Sequence, residues 1–586
     1  MIVLCLAWLI FAAVDAHAGE PRSRTWLENY VRQPVAQGAR NVRYLAFIER
    51  RLDDKRLGLD LNFLEHGGAD LSRAQTNILG RLAFCYRTPG LRYYRDPRLL
   101  DALRQGYLAA ARHIGPDGFM KWPGDKAYFY EAHEQAWRLE PLLIGFIWVG
   151  GEFPAADREV IAAALGRSAD WLSTHPYNQN NNRGAVWCAI TTLCGIYFER
   201  PDYLRVVEKY AGPILDGVLW ADGEAGEHTA QYGGGGPDSN YSYTGWAYVY
   251  LYRLFSGRDE LDPKLRNAMR WFAVYNSFRA FPLVTGASVR MRQANPGNLQ
   301  DLAPSLERFS HEDPFWARLA ENVLEKKEKY LPEFGGHMIS PLIWAMLENG
   351  RPANTFPLPD WYVNHVRMYD RTEVQYALIS RGYQTGVVFR GRHKEGYYSP
   401  LRGLQTFALG REYPILLHTD GAHSTTRADG IDTAAMDTDE AVLLGDAVIA
   451  ERRGTLWTLY AFTPASAVVL YGGARGAIES EWVFDPAVVS RPSLDRARRA
   501  VRFEGRQGRI YWLEGEARLA DGMLAVAARP PLNAFAFSGG DFRFLERRDG
   551  ELIFADRSGR YRLSFGDVLG PRGVLRGGRM PLERVR

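Results

Sequence analysis

The sequence predicts an α+β multidomain protein, with a helical toroid or solenoid first and an antiparallel β-sandwich second. Three observations carry this. Residues 25 to about 350 place apolar side chains at helical spacing, and from about 365 the chain alternates in strand fashion. Between them lies a Pro-rich stretch at 352–360, within "PANTFPLPDWYVNHV". Helices and strands segregated along a chain form separate layers, not an α/β fold. The 586 residues exceed one ordinary core and suggest two or three domains.

The helical half is built from amphipathic and wholly apolar segments. "DPRLLDALRQGYLAAARHI", "EQAWRLEPLLIGFIWVG" and "DREVIAAALGRSADWLSTH" carry the helical period. "AVWCAITTLCGIYF" and "TGWAYVYLYRLF" are apolar on nearly all sides and predict buried helices. No strict repeat period is visible, which argues against a regular repeat family. In the second half, "VQYALISRGY", "TGVVFRGR", "YPILLHTD", "LWTLYAFTPASAVVLYGG" and "RIYWLEGEARL" read as strands, and "RRDGEL" and "DRSGRY" as hairpin turns. Two stacked sandwich units are a further expectation of this pattern.

The composition is globular, with 46% hydrophobic and 24% charged residues. Aromatics reach 13%, including 16 Trp and 31 Tyr, which suits a large core or a cleft in which rings stack on sugars. A formal charge of +4 is too weak to imply nucleic acid. The first residues, "MIVLCLAWLIFAAVDAHAGE", hold an apolar run from Ile2 to Val14 followed by Ala-His-Ala. This predicts a signal peptide over 1–18 and a periplasmic or secreted protein with no membrane span, although no Lys or Arg precedes the run. Cys5 would leave with the leader, and Cys85, Cys188 and Cys194 offer no disulfide framework or cysteine metal motif.

Two polar loops, each leading into an apolar helix, are the candidate site. The first is "YNQNNNRGAVW", residues 177–187, with Asn178, Asn180, Asn181, Asn182 and Arg183. The second is "WADGEAGEHTAQYGGGGPDSNYSYTGW", residues 220–246, with His228, Tyr232, Tyr241 and Tyr243. Loops held by a rigid scaffold commonly carry function. Asn, His, Tyr and Arg without an obvious nucleophile–base pair suit β-elimination at a uronic acid. The proton beside the carboxylate becomes removable once donors neutralise that carboxylate, and Asn amides and Arg donate without losing a proton. A base then takes the proton and an acid protonates the leaving glycosidic oxygen, roles that His and Tyr fill.

The pairing of an "NN(H/R)G"-type loop with a later "DGxxxxH…Y" loop resembles polysaccharide lyases of the toroid-plus-sandwich type. These are the hyaluronate/chondroitin lyases and the heparinase II/III and alginate lyase relatives. The matching residues are Asn181-Asn182-Arg183-Gly184, then Asp222-Gly223 with His228, Tyr241 and Tyr243. "GRHKEGYYSPLRG", residues 391–403, looks like the segment with which such lyases bring a sandwich loop to the cleft. The resemblance implies an N-terminal incomplete (α/α) toroid over 19–355 and a C-terminal antiparallel β-sandwich over 365–586. It implies an anionic polysaccharide as partner and no cofactor. Asn182 would neutralise the substrate carboxylate, His228 would assist or act as base, and Tyr243 or Tyr241 would donate the proton and serve as an alternative base. Asn181, Arg183 and Tyr232 would bind substrate. Apart from the resemblance, His133 and Arg138, at helical spacing in "YFYEAHEQAWRLEP", and Arg290 are further candidates for substrate contact.

Such relatives often have His where Arg183 stands. Arg cannot act as base but grips a carboxylate in bidentate fashion. The Gly233–Gly236 run lengthens the His-to-Tyr spacing, so the assignment among the three tyrosines stays open. Each candidate also has a plainer reading. The asparagines suit a helix cap, His228 a structural histidine, and Tyr241 and Tyr243 core aromatics. His133, Glu134 and Arg138 suit a buried network, and Arg290 and Arg292 a solvated turn. His418 and His423 with nearby Asp residues match no metal motif, and no metal is expected. A glycoside hydrolase using Asp222, Glu224 or Glu227, or a non-catalytic glycan-binding protein, are the alternative functions.

Overall fold

The computed structural model describes residues 22–35, 38–52, 72–121, 131–177, 179–219, 241–276, 299–330, 340–348, 350, 352, 357–370, 374–391, 402–409, 425–433, 438–484, 491–504, 508–520, 522–529, 532–566, 569–570, 573–574 and 581–586. The chain divides into two compact units. One comprises residues 1–229, 240–269 and 297–356, the other 230–239, 270–296 and 357–586.

The helical segments of the first unit are α1 (Arg24–Arg32), α2 (Ala39–Leu52), α3 (Ser72–Arg87), α4 (Pro97–His113), α5 (Ala132–Val149), α6 (Ala155–Thr174), α7 (Asn182–Tyr197), α8 (Pro201–Val218) and α9 (Tyr241–Ser256). After α10 (Asp262–Tyr275) come α11 (Ala303–Ser310), α12 (Pro314–Tyr330) and α13 (Ser340–Glu348). Sequence signals mark the starts. Asp96 caps α4 ahead of Pro97, whose fixed φ and missing N–H suit the first turn. The helices alternate in character. In α8 the buried residues Tyr203, Val207, Ala211, Ile214, Leu215 and Val218 form one stripe, so this helix is an outer element. By contrast, α5 is buried except for Trp137, and α7 except for Arg183. Inner helices pack on one another in order: α3 on α5, α5 on α7, and α7 on α9. Outer helices α4, α6 and α8 pack against them.

Close approach at the α3–α5 contact depends on glycine. A Cβ on Gly80 would lie 2.7 Å from the Pro141 carbonyl oxygen, and one on Gly145 would collide with the Tyr107 hydroxyl. Buried polar groups in these inner helices are then satisfied across helices. Glu140 accepts from Tyr248 Oη at 2.8 Å and Trp344 Nε1 at 3.0 Å, joining α5, α9 and α13. Glu348 accepts from Tyr30 Oη at 3.0 Å and from Tyr250. Arg40 grips Glu307 in bidentate fashion at 2.8 and 2.7 Å, and Tyr44 Oη donates to the same carboxylate at 2.8 Å. The first helices thereby hold the last helices of the unit.

Every strand pair of the second unit is antiparallel. An eight-stranded sheet, running from Glu440–Leu444 to Pro492–Asp495 at its edges, is central. One face, with Ile449, Tyr460, Val469 and Phe537, shares a core with the 365–408 sheet and with the sheet containing Trp482. The other face, with Ala450, Leu459, Val468 and Ala536, shares a core with Phe542, Leu552, Phe554 and Leu563 of the last four-stranded sheet. Two-sided burial explains why Ser466–Gly472 and Leu532–Ser538 are buried throughout instead of alternating. Among the described residues, the eight-stranded sheet is thus packed on both faces. The "RRDGEL" hairpin turns at Asp549-Gly550, with Gly550 at φ 72° as a tight two-residue loop requires. The "DRSGRY" hairpin pairs Asp556 with Gly559.

Two outcomes follow for stability. Glu307→Ala leaves Arg40 buried without its main partner and should cost about 3–5 kcal/mol, read as a lowered denaturant midpoint. Burial raises the Glu348 carboxyl to about 7, with the Tyr30 hydrogen bond opposing. Between its ordinary value of 4.5 and about 7, the folded chain holds a proton that the unfolded chain has released. Stability from this group therefore falls as pH rises through that window, and Glu348→Gln should flatten the fall in a pH series of thermal midpoints.

Candidate active site

The asparagine loop is built around the start of α7. Asn181 takes an extended backbone, φ −147° and ψ −176°, and its Oδ1 accepts from the backbone N–H groups of Arg183 at 3.0 Å and Gly184 at 3.3 Å. Two of the four orphan donors of the helix end are thus satisfied. Its amide nitrogen donates to Gln179 Oε1 at 3.2 Å, which also accepts from Tyr177 Oη at 2.8 Å. Both ends of the Asn181 amide are thereby engaged in holding the loop, as the capping reading of this stretch expects.

Two glycines let the loop sit deep, and a third packs beside Asn182. A Cβ on Gly184 would strike the Gln179 carbonyl and lie 3.0 Å from Ile214, and one on Gly217 would strike Asn180. A Cβ on Gly245 would lie 3.5 Å from Asn182. The close approach seen at Gly184 is to the chain itself. Asn182, the first residue of α7, is buried beside α9.

Arg183 is the one residue of α7 that is not buried. Its Nη1 lies 3.1 Å from Glu131 Oε2. The same oxygen lies 3.1 Å from His133 Nδ1, within ion-pair range but not aligned as a hydrogen bond. His133 Nε2 is 3.4 Å from Glu134 Oε1, and the ring meets Trp137 and Tyr177 edge-on at 5.1 and 5.2 Å. Burial pulls the His133 pKa below 6.5 against the pull of Glu134, and Arg183 adds to the depression. The imidazole is therefore neutral at pH 7. Burial raises the Tyr177 phenol, which Arg183 partly offsets.

Arg138 goes elsewhere. It is fully buried and donates from Nη1 to the Met120 carbonyl at 2.7 Å, where Gln135 also brackets the Met120 backbone at 3.0 and 3.2 Å. This matches the buried-network reading for Arg138, while His133 joins the Arg183 cluster. On α9, Tyr243 is buried with its ring 5.8 Å from Trp246, and Thr244 donates to Asp301 at 2.6 Å. Tyr241 opens α9 two positions earlier.

Asn178, His228, Tyr232 and Arg290 lie outside the described residues, as do Asp222, Glu224, Glu227, Arg292, residues 392–401, His418 and His423. Among the described residues no group of three His, Cys, Asp or Glu is placed to hold a metal ion. Cys85, Cys188 and Cys194 are buried and are not joined in a disulfide. No described helix is long and apolar enough to cross a membrane. Sequence reasoning missed Glu131, Tyr177 and Gln179. The available signal was a carboxylate immediately before α5, two residues ahead of His133.

Asn181→Ala should lose the cap and about 1 kcal/mol, read as a lower denaturant midpoint. His133 stabilises the fold only while neutral, so its contribution should be lost as pH falls below 6.5, where the unfolded chain takes a proton first. His133→Gln should remove that part of the acid-side loss in thermal melts.

No family model and no curated protein matches the sequence. Solved structures do match along nearly the whole chain. A heparan sulfate lyase from Pedobacter heparinus is 14% identical at a TM-score of 0.54, covering 91% of this chain and 90% of its own. Heparinase III is 12% identical at 0.52, covering 92% and 95%. A chondroitin AC lyase from Streptomyces coelicolor is 13% identical at 0.51, covering 91% and 86%. Over about nine-tenths of its length, this chain has the fold of polysaccharide lyases.

Proposed function

We propose that the protein is an exported polysaccharide lyase that cleaves a uronic-acid-containing polymer by β-elimination. Its paired helices would form an incomplete (α/α) toroid followed by the antiparallel sheets, as in the lyases whose fold it shares. The single observation that best supports the reading is the start of α7, where a buried helix exposes one arginine beside a buried asparagine on a capped, glycine-seated loop.

In this reading Asn182 and Arg183 neutralise the uronate carboxylate, lowering the cost of the enolate-like state. His228 or a tyrosine takes the C5 proton. The electron pair left at C5 forms the C4–C5 double bond, the C4–O bond breaks, and Tyr243 or Tyr241 gives its proton to the leaving oxygen. Arg183 has no proton to lose near neutrality and serves only as a donor. His133 stands as a neutral imidazole beside Glu131, and Tyr232 and Arg290 serve as further substrate contacts.

A panel of uronate polymers (alginate, hyaluronate, chondroitin, heparan-type chains and acidic exopolysaccharides) tests the reading. At least one should give a product whose conjugated double bond absorbs in the ultraviolet, and a hydrolase would release sugar without that absorbance. His228→Ala and Tyr243→Phe should each lower kcat/KM by about 10²–10⁴-fold with binding retained. Full activity in both variants would refute the site assignment.

A further inference from the structure

The proposed carboxylate clamp already holds a carboxylate, that of Glu131. We infer that Glu131 is an internal substitute for the substrate's uronate group, seated on Arg183 in the free protein and exchanged for it on binding. The inference rests on the lyase reading of this site and assigns a positioning residue to it.

Four observations carry the inference. Glu131 Oε2 stands 3.1 Å from Arg183 Nη1, the place the substrate oxygen would take. Neither partner is deeply buried, with side chains 39% and 34% exposed, so the pair can open without desolvating a charge. Glu131 occupies the N-cap position of α5 yet makes no capping hydrogen bond, so its side chain is not needed where it stands to complete that helix. A second resting place is adjacent: Glu131 stands at the N-terminus of α5, whose first turn offers N–H groups and a favourable dipole to a carboxylate.

Exchange has a consequence for selectivity. When a uronate enters, one ion pair replaces another and Glu131 moves to the helix end, so the charge on Arg183 is never left uncompensated. A neutral sugar offers no such replacement. It would meet Arg183 still closed by Glu131, and opening the pair would bring no return. The same device lowers apparent affinity for the correct ligand, because only the fraction of molecules with Glu131 displaced is competent.

The test titrates sodium glucuronate by calorimetry into the full chain as wild type, Glu131→Gln, Arg183→Ala and the double variant, with glucose as the neutral control. KM and kcat are measured on whichever polymer of the panel is cleaved. Glu131→Gln should tighten glucuronate binding and lower KM about two- to fivefold, the size of a half-exposed ion pair, with kcat unchanged. The gain should vanish in the double variant, and glucose should bind none of them. Unchanged or weaker binding by Glu131→Gln, in a chain that turns over uronate polymer, would overturn the exchange and leave the lyase reading standing. Absence of both turnover and glucuronate binding in every variant would overturn both. A KM that rises in Glu131→Gln would make Glu131 a support that orients Arg183, which also overturns the inference.

Discussion

The helical unit depends on one constraint: helices buried on nearly all sides must pair their carboxylates inside the protein. In α5 and α7 the solvent is gone, so a carboxylate such as Glu140 is tolerable only because Tyr248 and Trp344 donate to it. Glu307 and Glu348 obey the same rule with Arg40, Tyr44, Tyr30 and Tyr250. Each of these bonds joins residues that are remote in sequence. The cost of burying charge is thereby turned into a set of long-range pins that fix which helix faces which. Aromatic hydroxyls and indoles serve as the donors, which accounts for part of the high tyrosine and tryptophan content.

The same constraint makes the start of α7 conspicuous. Within that helix every residue except Arg183 is buried, so a charged residue there is either paired inside or placed at the rim. Arg183 is at the rim, and the asparagines before it hold the loop in place. Asn181 closes the helix end, and Gly184 and Gly217 remove the side chains that would lift the loop away.

The helical half was largely legible because a period of 3.6 residues survives in long segments. α4 to α7 and α9 fall on the stretches whose spacing or apolar content marks them. The hairpins at Asp549-Gly550 and Asp556–Gly559 were legible from turn chemistry. The central sheet was less so. Strands Val448–Arg453 and Leu532–Ser538 are buried on both faces, so polar alternation, the usual strand signal, is absent there. For the site, the residue types of the asparagine loop were readable, whereas the division of labour within it was not. Asn181 and Asn182 are neighbours of the same type, yet one is a cap and the other a buried first-turn residue, a difference set by backbone geometry. Glu131 was invisible because its partner Arg183 is 52 residues away.

Arg183 also constrains where the base must be. A histidine at this position, as in many of the lyases the loop resembles, would combine charge neutralisation with proton transfer. Arginine separates the two, because its guanidinium stays protonated throughout. His133 has the right charge state for a base, being neutral at pH 7, but its ring is closed in by Trp137, Tyr177 and Glu134 and its side chain is only 2% exposed. A proton cannot reach a ring so enclosed without moving those neighbours. In the proposed lyase reading, proton removal would therefore fall to a group on the second polar loop or the start of α9, and the first loop would keep the electrostatic task of holding a carboxylate.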